Sequence, residues 1–209
     1  MTRPQWSAPP LRLDLQIIAD MIAPDTRVLD VGCGDGALLA YLGHAKGIDG
    51  RGIELSQAGV NACVSHGLSV IQGDADTDLK DYPTHSFDYA VLSQTLPATD
   101  DPRGVLLALV RIARHAIVSI PNFGHWRLRL NLLLDGRVAL PDQATQRWHD
   151  TPNIHPCTIA DFVELCRTLG IRIARTVSID RRGRTRRADR PGPLANLLDE
   201  QAIFLLTKD

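Results

Sequence analysis

Cysteine is scarce and unpatterned in this sequence: four occur in 209 residues, at positions 33, 63, 157 and 166, with no C-x-x-C pair. That excludes a disulfide framework and a zinc site built on paired thiols, and free thiols point to a cytoplasmic protein. No apolar run approaches the roughly 20 residues that span a bilayer, so no membrane role is expected. The opening residues, MTRPQWSAPP, lack the apolar core of a secretory signal. An excess of one charge is missing too. With 23 Lys and Arg against 24 Asp and Glu, the formal net charge of −1 gives no global attraction to nucleic acid. Nucleic acid is therefore not an expected partner. No histidine pair stands at helical ligand spacing, so no metal is expected. There is no internal repeat and no low-complexity tract.

What remains is an ordinary globular composition, 44% apolar, long enough for one α/β domain over 1–209. LRLDLQIIADMI (11–22) reads as an amphipathic N-terminal helix. Seven apolar stretches read as strands: 27–31, 47–55, 68–74, 87–94, 115–122, 171–179 and 201–207. Most lack clean polar alternation and are separated by helical segments, which predicts a mostly parallel sheet with helices on both faces. Ser56 caps a helix over 56–65; Asp101 and Pro102 open one over 103–112; Thr158 and Asp161 form a capping box for 159–169, which Gly170 ends. Residues 122–157 break the pattern. Apart from a helix over 126–134 they read as a long, lid-like insertion holding two of the three tryptophans and three of the seven histidines. The last two strands are joined by a charged segment, 181–200, with six arginines between Arg181 and Arg190, and are expected to form an antiparallel hairpin. That run reads first as a solvated loop and second as a local site for an anion or an acidic partner.

VLDVGCGDGALL (28–39) is strand, glycine turn and helix. Glycines there let backbone approach a ligand closely. The spacing Gly32-x-Gly34-x-x-Ala37, with Glu54 about 20 residues on, fits a dinucleotide site. It also fits S-adenosylmethionine. Charge decides between them. Asp30 and Asp35 flank the turn, and each would oppose a pyrophosphate there by about 3 kcal/mol per charge pair at roughly 5 Å and an effective dielectric of about 20. An ammonium and a sulfonium are favoured by the same carboxylates. Glu54 can bind a ribose diol, and Asp74 can accept from an adenine amino group. Cys33 reads as a small buried thiol.

In order and spacing, VLDVGCGDG, GIEL, GDAD and FDYAVLSQTL resemble the cofactor motifs of class I S-adenosylmethionine-dependent methyltransferases. RLDLQIIADMI, AIVSIPNFGHWRLRLNLLL, WHDTPNIHPCTIADF and LGIRI, together with those motifs, resemble the MetW family of methionine biosynthesis proteins over about residues 11–180. The resemblance implies a Rossmann-like class I methyltransferase fold, here a seven-stranded sheet. It also implies S-adenosylmethionine or S-adenosylhomocysteine as cofactor, and homoserine O-acyltransferase, MetX, as partner. By position, Asp30, Gly32, Cys33, Gly34, Glu54, Leu55, Asp74 and Ala75 are the cofactor candidates, with Ser93 and Gln94 facing the methyl group. Asn122, His125, Trp126, Trp148 and His149 are the substrate or lid candidates. His125 and His149 are the candidate general bases, set against a packing role for the whole group.

Two functions follow. In one, the chain docks on the acyltransferase and raises its activity, with the cofactor reporting methionine supply. In the other, it methylates a small molecule. Nothing matches the Asn-Pro-Pro-aromatic signature of amino-group methylation; IPNFGHW only approaches it. An apolar face on 103–112, or an edge strand, could pair two chains.

Overall fold

A computed structural model describes residues 11–141, 148–189 and 191–208. The opening decapeptide, residues 142–147 of the lid segment, Arg190 and Asp209 lie outside the described residues.

The first strand, β1 (Arg27–Val31), is flanked by β2 (Asp49–Glu54) on one side and β4 (Phe87–Ser93) on the other, all parallel. β3 (Val70–Gln72) extends the sheet beyond β2, and β5 (Ala113–Pro121) beyond β4. β8 (Asp199–Thr207) then inserts antiparallel between β5 and β6 (Arg172–Asp180). The order is β3-β2-β1-β4-β5-β8-β6-β7. The sheet thus has eight strands, not seven. The added strand is β7 (Thr185–Ala188), which pairs with β6 inside the arginine-rich segment expected to be a loop. Its four residues, Thr-Arg-Arg-Ala, are all exposed, as an edge strand allows, so no apolar pattern announces it.

The helices divide between the two faces. On one face α1 (Leu13–Met21) and α2 (Ala37–Lys46) cover Val28, Val91, Ile117 and Ile203. On the other, α5 (Pro102–Ile112) and α7 (Ile159–Thr168) cover Leu29, Leu92, Val118 and Phe204. Adjacent strand residues point to opposite faces and both faces are buried, which is why these strands read as continuous apolar runs. The predicted caps are present: Ser56 on α3 (Gln57–Ser65), Asp101 on α5 and the Thr158/Asp161 box on α7. Val105, Leu106, Leu109 and Val110 of α5 are in the core, with Leu107 and Ala108 half-buried.

Asn122 follows β5 and fastens three elements. Its amide nitrogen donates to the carbonyls of Asn196 (2.9 Å) and Asp199 (2.7 Å). Its oxygen accepts from the backbone N–H groups of Gly124 (2.9 Å) and Ile159 (3.3 Å). Expected to face a substrate, it is fully buried with its hydrogen-bonding capacity filled. Replacing it by alanine leaves these buried groups unpaired, and Asn122→Ala should lose about 3 kcal/mol of stability in denaturant unfolding.

Candidate functional site

The order β2-β1-β4 reverses the winding of the sheet at β1, and in such sheets the crevice opens at the carboxyl ends of the strands there. A cleft of about 150 Å³ lies at that place, lined by Arg12, Asp30, Gly32, Gly34, Asp35 and Ser93, with Cys33 beside them. The turn is pinned at two points. The N–H groups of Gly32 and Cys33 donate to the Ile53 carbonyl at 2.8 and 3.1 Å. The Gly34 N–H donates to Glu54 Oε2 at 2.9 Å, while Glu54 Oε1 accepts from the backbone and hydroxyl of Ser56. Gly32 and Gly34 have φ of +71° and +58°. A Cβ on Gly32 would sit 2.6 Å from the Thr95 hydroxyl oxygen, whereas one on Gly34 would meet nothing within 4 Å, so the surface above Gly34 is open to a ligand.

Asp30, the penultimate residue of β1, has 2% of its surface exposed and, among the described residues, no hydrogen bond or ion pair to its carboxylate. Burial first, and the charge of Glu54 second, push its carboxyl from 3.8 up to about 7. A buried carboxylate without a counter-charge, facing a cleft, is a receptor for a cation or a proton. The donor set therefore fits an ammonium-bearing ligand and opposes a pyrophosphate.

Around this cleft the other candidates fall into three groups. Glu54 and Leu55 leave the end of β2, and Leu55 is 66% exposed. Asp74 caps the short helix α4 (Ala75–Asp78) by accepting from the Asp76 N–H at 2.9 Å, with Ala75 packed against the core. These four lie where β2 and its outer neighbour β3 end. Ser93 lines the cleft and its hydroxyl is 3.2 Å from that of Ser119.

Gln94 turns away. It has φ of +55°, its N–H bonds to Ser119, and its side-chain amide reaches Gln201 Oε1 (2.8 Å) and buried Asp14 (3.3 Å). His125 is buried and caps α6 (Trp126–Asp135), its Nδ1 accepting from the Arg127 N–H at 3.3 Å. Trp126 is exposed under the Arg127 guanidinium. Trp148 and His149 stack edge-to-face on the surface, His149 beside Asp150. None of these last five lines the cleft, and neither do Glu54, Leu55, Asp74 and Ala75, which lie beyond its rim.

Sequence reasoning missed Arg12 and Leu15 of the α1 region, which wall the cleft from its far side. Arg12 is held by a paired contact to Asp14 at 3.2 and 2.7 Å. Only the R-x-D spacing hints at that pair. Cys33 packs at 3.9 Å from the Cys63 sulfur, and burial raises both thiols. Among the described residues, no three His, Cys, Asp or Glu side chains gather as for a metal ion, and no helix is long and apolar enough to cross a membrane.

Sheet order, glycine turn and the acids after β1 and β2 define the class I methyltransferase fold. Solved structures bear this out. A Thermotoga maritima S-adenosylmethionine-dependent methyltransferase, described as a possible histamine N-methyltransferase, superposes with a TM-score of 0.68 at 19% identity over 94% of this chain and 87% of its own. Phosphoethanolamine N-methyltransferase 2 of Haemonchus contortus, in complex with S-adenosyl-L-methionine, gives 0.67 at 12% identity, over 98% of this chain and 54% of its own. Residues 12–206 match the model of the methionine biosynthesis protein MetW, and the chain belongs to that family. A bifunctional methionine biosynthesis protein MetXA/MetW of Rhodopirellula baltica is 34% identical over 81% of this chain, which spans 29% of that relative's length. A ubiquinone biosynthesis O-methyltransferase of Hahella chejuensis is 32% identical over 54% of this chain and 48% of its own.

Asp30 makes the fold pH-sensitive in a definite direction. Its folded-state pKa lies above the unfolded value, so the stability it contributes is complete below about pH 4 and is lost as pH rises through 7. Asp30→Asn removes that loss. The variant should be more stable than the parent at pH 8, by up to about 4 kcal/mol, with the two converging near pH 4; denaturant unfolding at both pH values reads the difference.

Proposed function

We propose that this protein binds S-adenosylmethionine, or S-adenosylhomocysteine, in the β1 cleft and acts in methionine biosynthesis as a partner that raises the activity of a homoserine O-acyltransferase. The observation that carries the cofactor reading is Asp30: buried, without a counter-ion, and facing the cleft. An aminoacyl ammonium supplies the missing charge. Glu54, oriented by Gly34 and Ser56, keeps one lone-pair site, on Oε2, for a ribose hydroxyl, and Leu55 and Asp74 offer an apolar surface and an acceptor to an adenine. The acyltransferase reading is supported by the Rhodopirellula relative, whose name joins MetXA and MetW in one polypeptide. Four cysteines that form no disulfide accord with a cytoplasmic location.

The alternative is methyl transfer to a small molecule, which the Hahella O-methyltransferase relative favours. Against it, Nδ1 of His125 is committed to capping a helix and His149 lies on the surface away from the cleft, so neither is poised as a base. Metabolite-dependent release of S-adenosylhomocysteine would favour the alternative.

Calorimetric titration tests the cofactor. A cationic ligand favours ionised Asp30, so affinity should rise at least about tenfold from pH 5.5 to pH 7, with a proton released on binding at the lower pH. Asp30→Asn should abolish that dependence and weaken binding, and Glu54→Ala should weaken it about tenfold or more. A pH-independent affinity, or preference for NAD, overturns the assignment. The partner role is read by acyl transfer with and without this protein: a rise is expected, and an unchanged rate overturns it.

A further inference from the structure

Helix α6 is built the wrong way round for a lone globular protein. It spans ten residues, Trp126–Asp135, and none is buried. At 100° per residue, Trp126, Leu130, Leu133 and Leu134 fall within an arc of about 100°. All four are exposed, Leu133 at 79% and Leu134 at 71%. Away from the stripe only Leu128 and Asn131 are half-buried, while Leu132, also turned away from it, is 53% exposed. An apolar stripe of this width on a surface helix ordinarily faces the core. Here it faces outward.

On α8 (Pro193–Leu198), Leu194 is 66% exposed as well. Asn122 bonds to the Asn196 carbonyl, and a Cβ on Gly124 would lie 3.0 Å from Asn196 Oδ1, so the loop leading into α6 runs against α8. Exposed apolar side chains concentrated on one surface helix mark an interaction site.

Charge indicates what covers it. Residues 126–137 carry Arg127, Arg129 and Arg137 against one acid, Asp135. A second copy would bring another net-positive helix against this one. A protein presenting an apolar groove edged with carboxylates is complementary.

We infer that α6 is the face that docks on the acyltransferase, seated in such a groove in the helix-in-groove manner. The inference rests on the partnership proposed above. The partner supplies the apolar wall, and its acidic rim meets the flanking arginines.

The test uses the full chain and the homoserine O-acyltransferase of the same organism, with affinity measured by calorimetry. The variant is Leu133→Asp/Leu134→Asp. The control is Val64→Asp, an exposed apolar residue on α3. Both variants should keep the parent's circular dichroism and S-adenosylmethionine affinity. The expected result is a loss of acyltransferase affinity of about tenfold or more in the double variant, and a change within about twofold in the control.

Parent-like binding by the double variant overturns the docking face and leaves the partnership standing. No binding by the parent protein overturns both. Two further outcomes overturn it by naming another occupant, each with acyltransferase affinity intact in the double variant. One is a parent dimer that the double variant converts to monomer, read by light scattering. The other is parent binding to phosphatidylglycerol vesicles that the double variant loses.

Discussion

The structure is organised around a carboxylate in an unfavourable place. Asp30 stands one residue before the end of the first strand of a sheet buried on both faces, so its side chain is taken out of water without receiving a partner. Glu54, at the matching end of the next strand, adds a second negative charge. A fold selected for stability alone would put an apolar residue or an asparagine there. The glycine turn, the cleft and the orientation of Glu54 all fit the need to bring a positive charge to that spot. The same constraint separates the two ligands that the glycine spacing alone admits. A pyrophosphate would add to the repulsion, whereas an ammonium relieves it.

The turn is held by its surroundings as much as by its glycines. Its N–H groups are divided between the carbonyl of Ile53 and the carboxylate of Glu54, the last residue of β2. Glu54 therefore does more than wait at a strand end. By accepting from Gly34 and Ser56 it fixes its own rotamer and ties the first loop to the second. A site assembled this way is formed before any ligand arrives, which lowers the ordering cost of binding.

How far the sequence discloses this depends on whether a residue's task is local. The strand–turn–helix at 28–39, the caps at Ser56, Asp101 and Thr158, and the acids after β1 and β2 are legible because their signals lie within a few residues. β7 is not, because an exposed edge strand of Thr-Arg-Arg-Ala carries neither alternation nor apolar content. The roles of Gln94, Asn122 and His125 are hidden for another reason. Gln94 reaches Asp14 and Gln201, 80 and 107 residues away, and Asn122 reaches Asn196 and Asp199. A polar residue at a strand end looks the same in sequence whether it faces a ligand or closes a long-range bond. Arg12 and Leu15 wall the cleft for a comparable reason: packing α1 across the sheet end, and no local pattern, brings them there.

Cleft and outer face are also close along the chain. Ser119 of β5 bonds to Ser93 and to the backbone of Gln94 at the strand ends beside the cleft. Three residues later Asn122 fastens β5 to α7, α8 and β8, and α6 begins four residues after that. These connections are short and densely hydrogen-bonded, and on the proposed reading they are the route from the β4 and β5 ends to the base of α6. On the proposed reading, the cofactor acts at one end of this path and the acyltransferase at the other. Linkage then requires the effect to be mutual: whatever free energy the ligand adds to docking, docking adds to the ligand's affinity. A methylating enzyme needs no such path from its cleft to an apolar surface helix. A protein that reports a metabolite to a partner does, and this geometric economy is the physical ground for preferring the partner role.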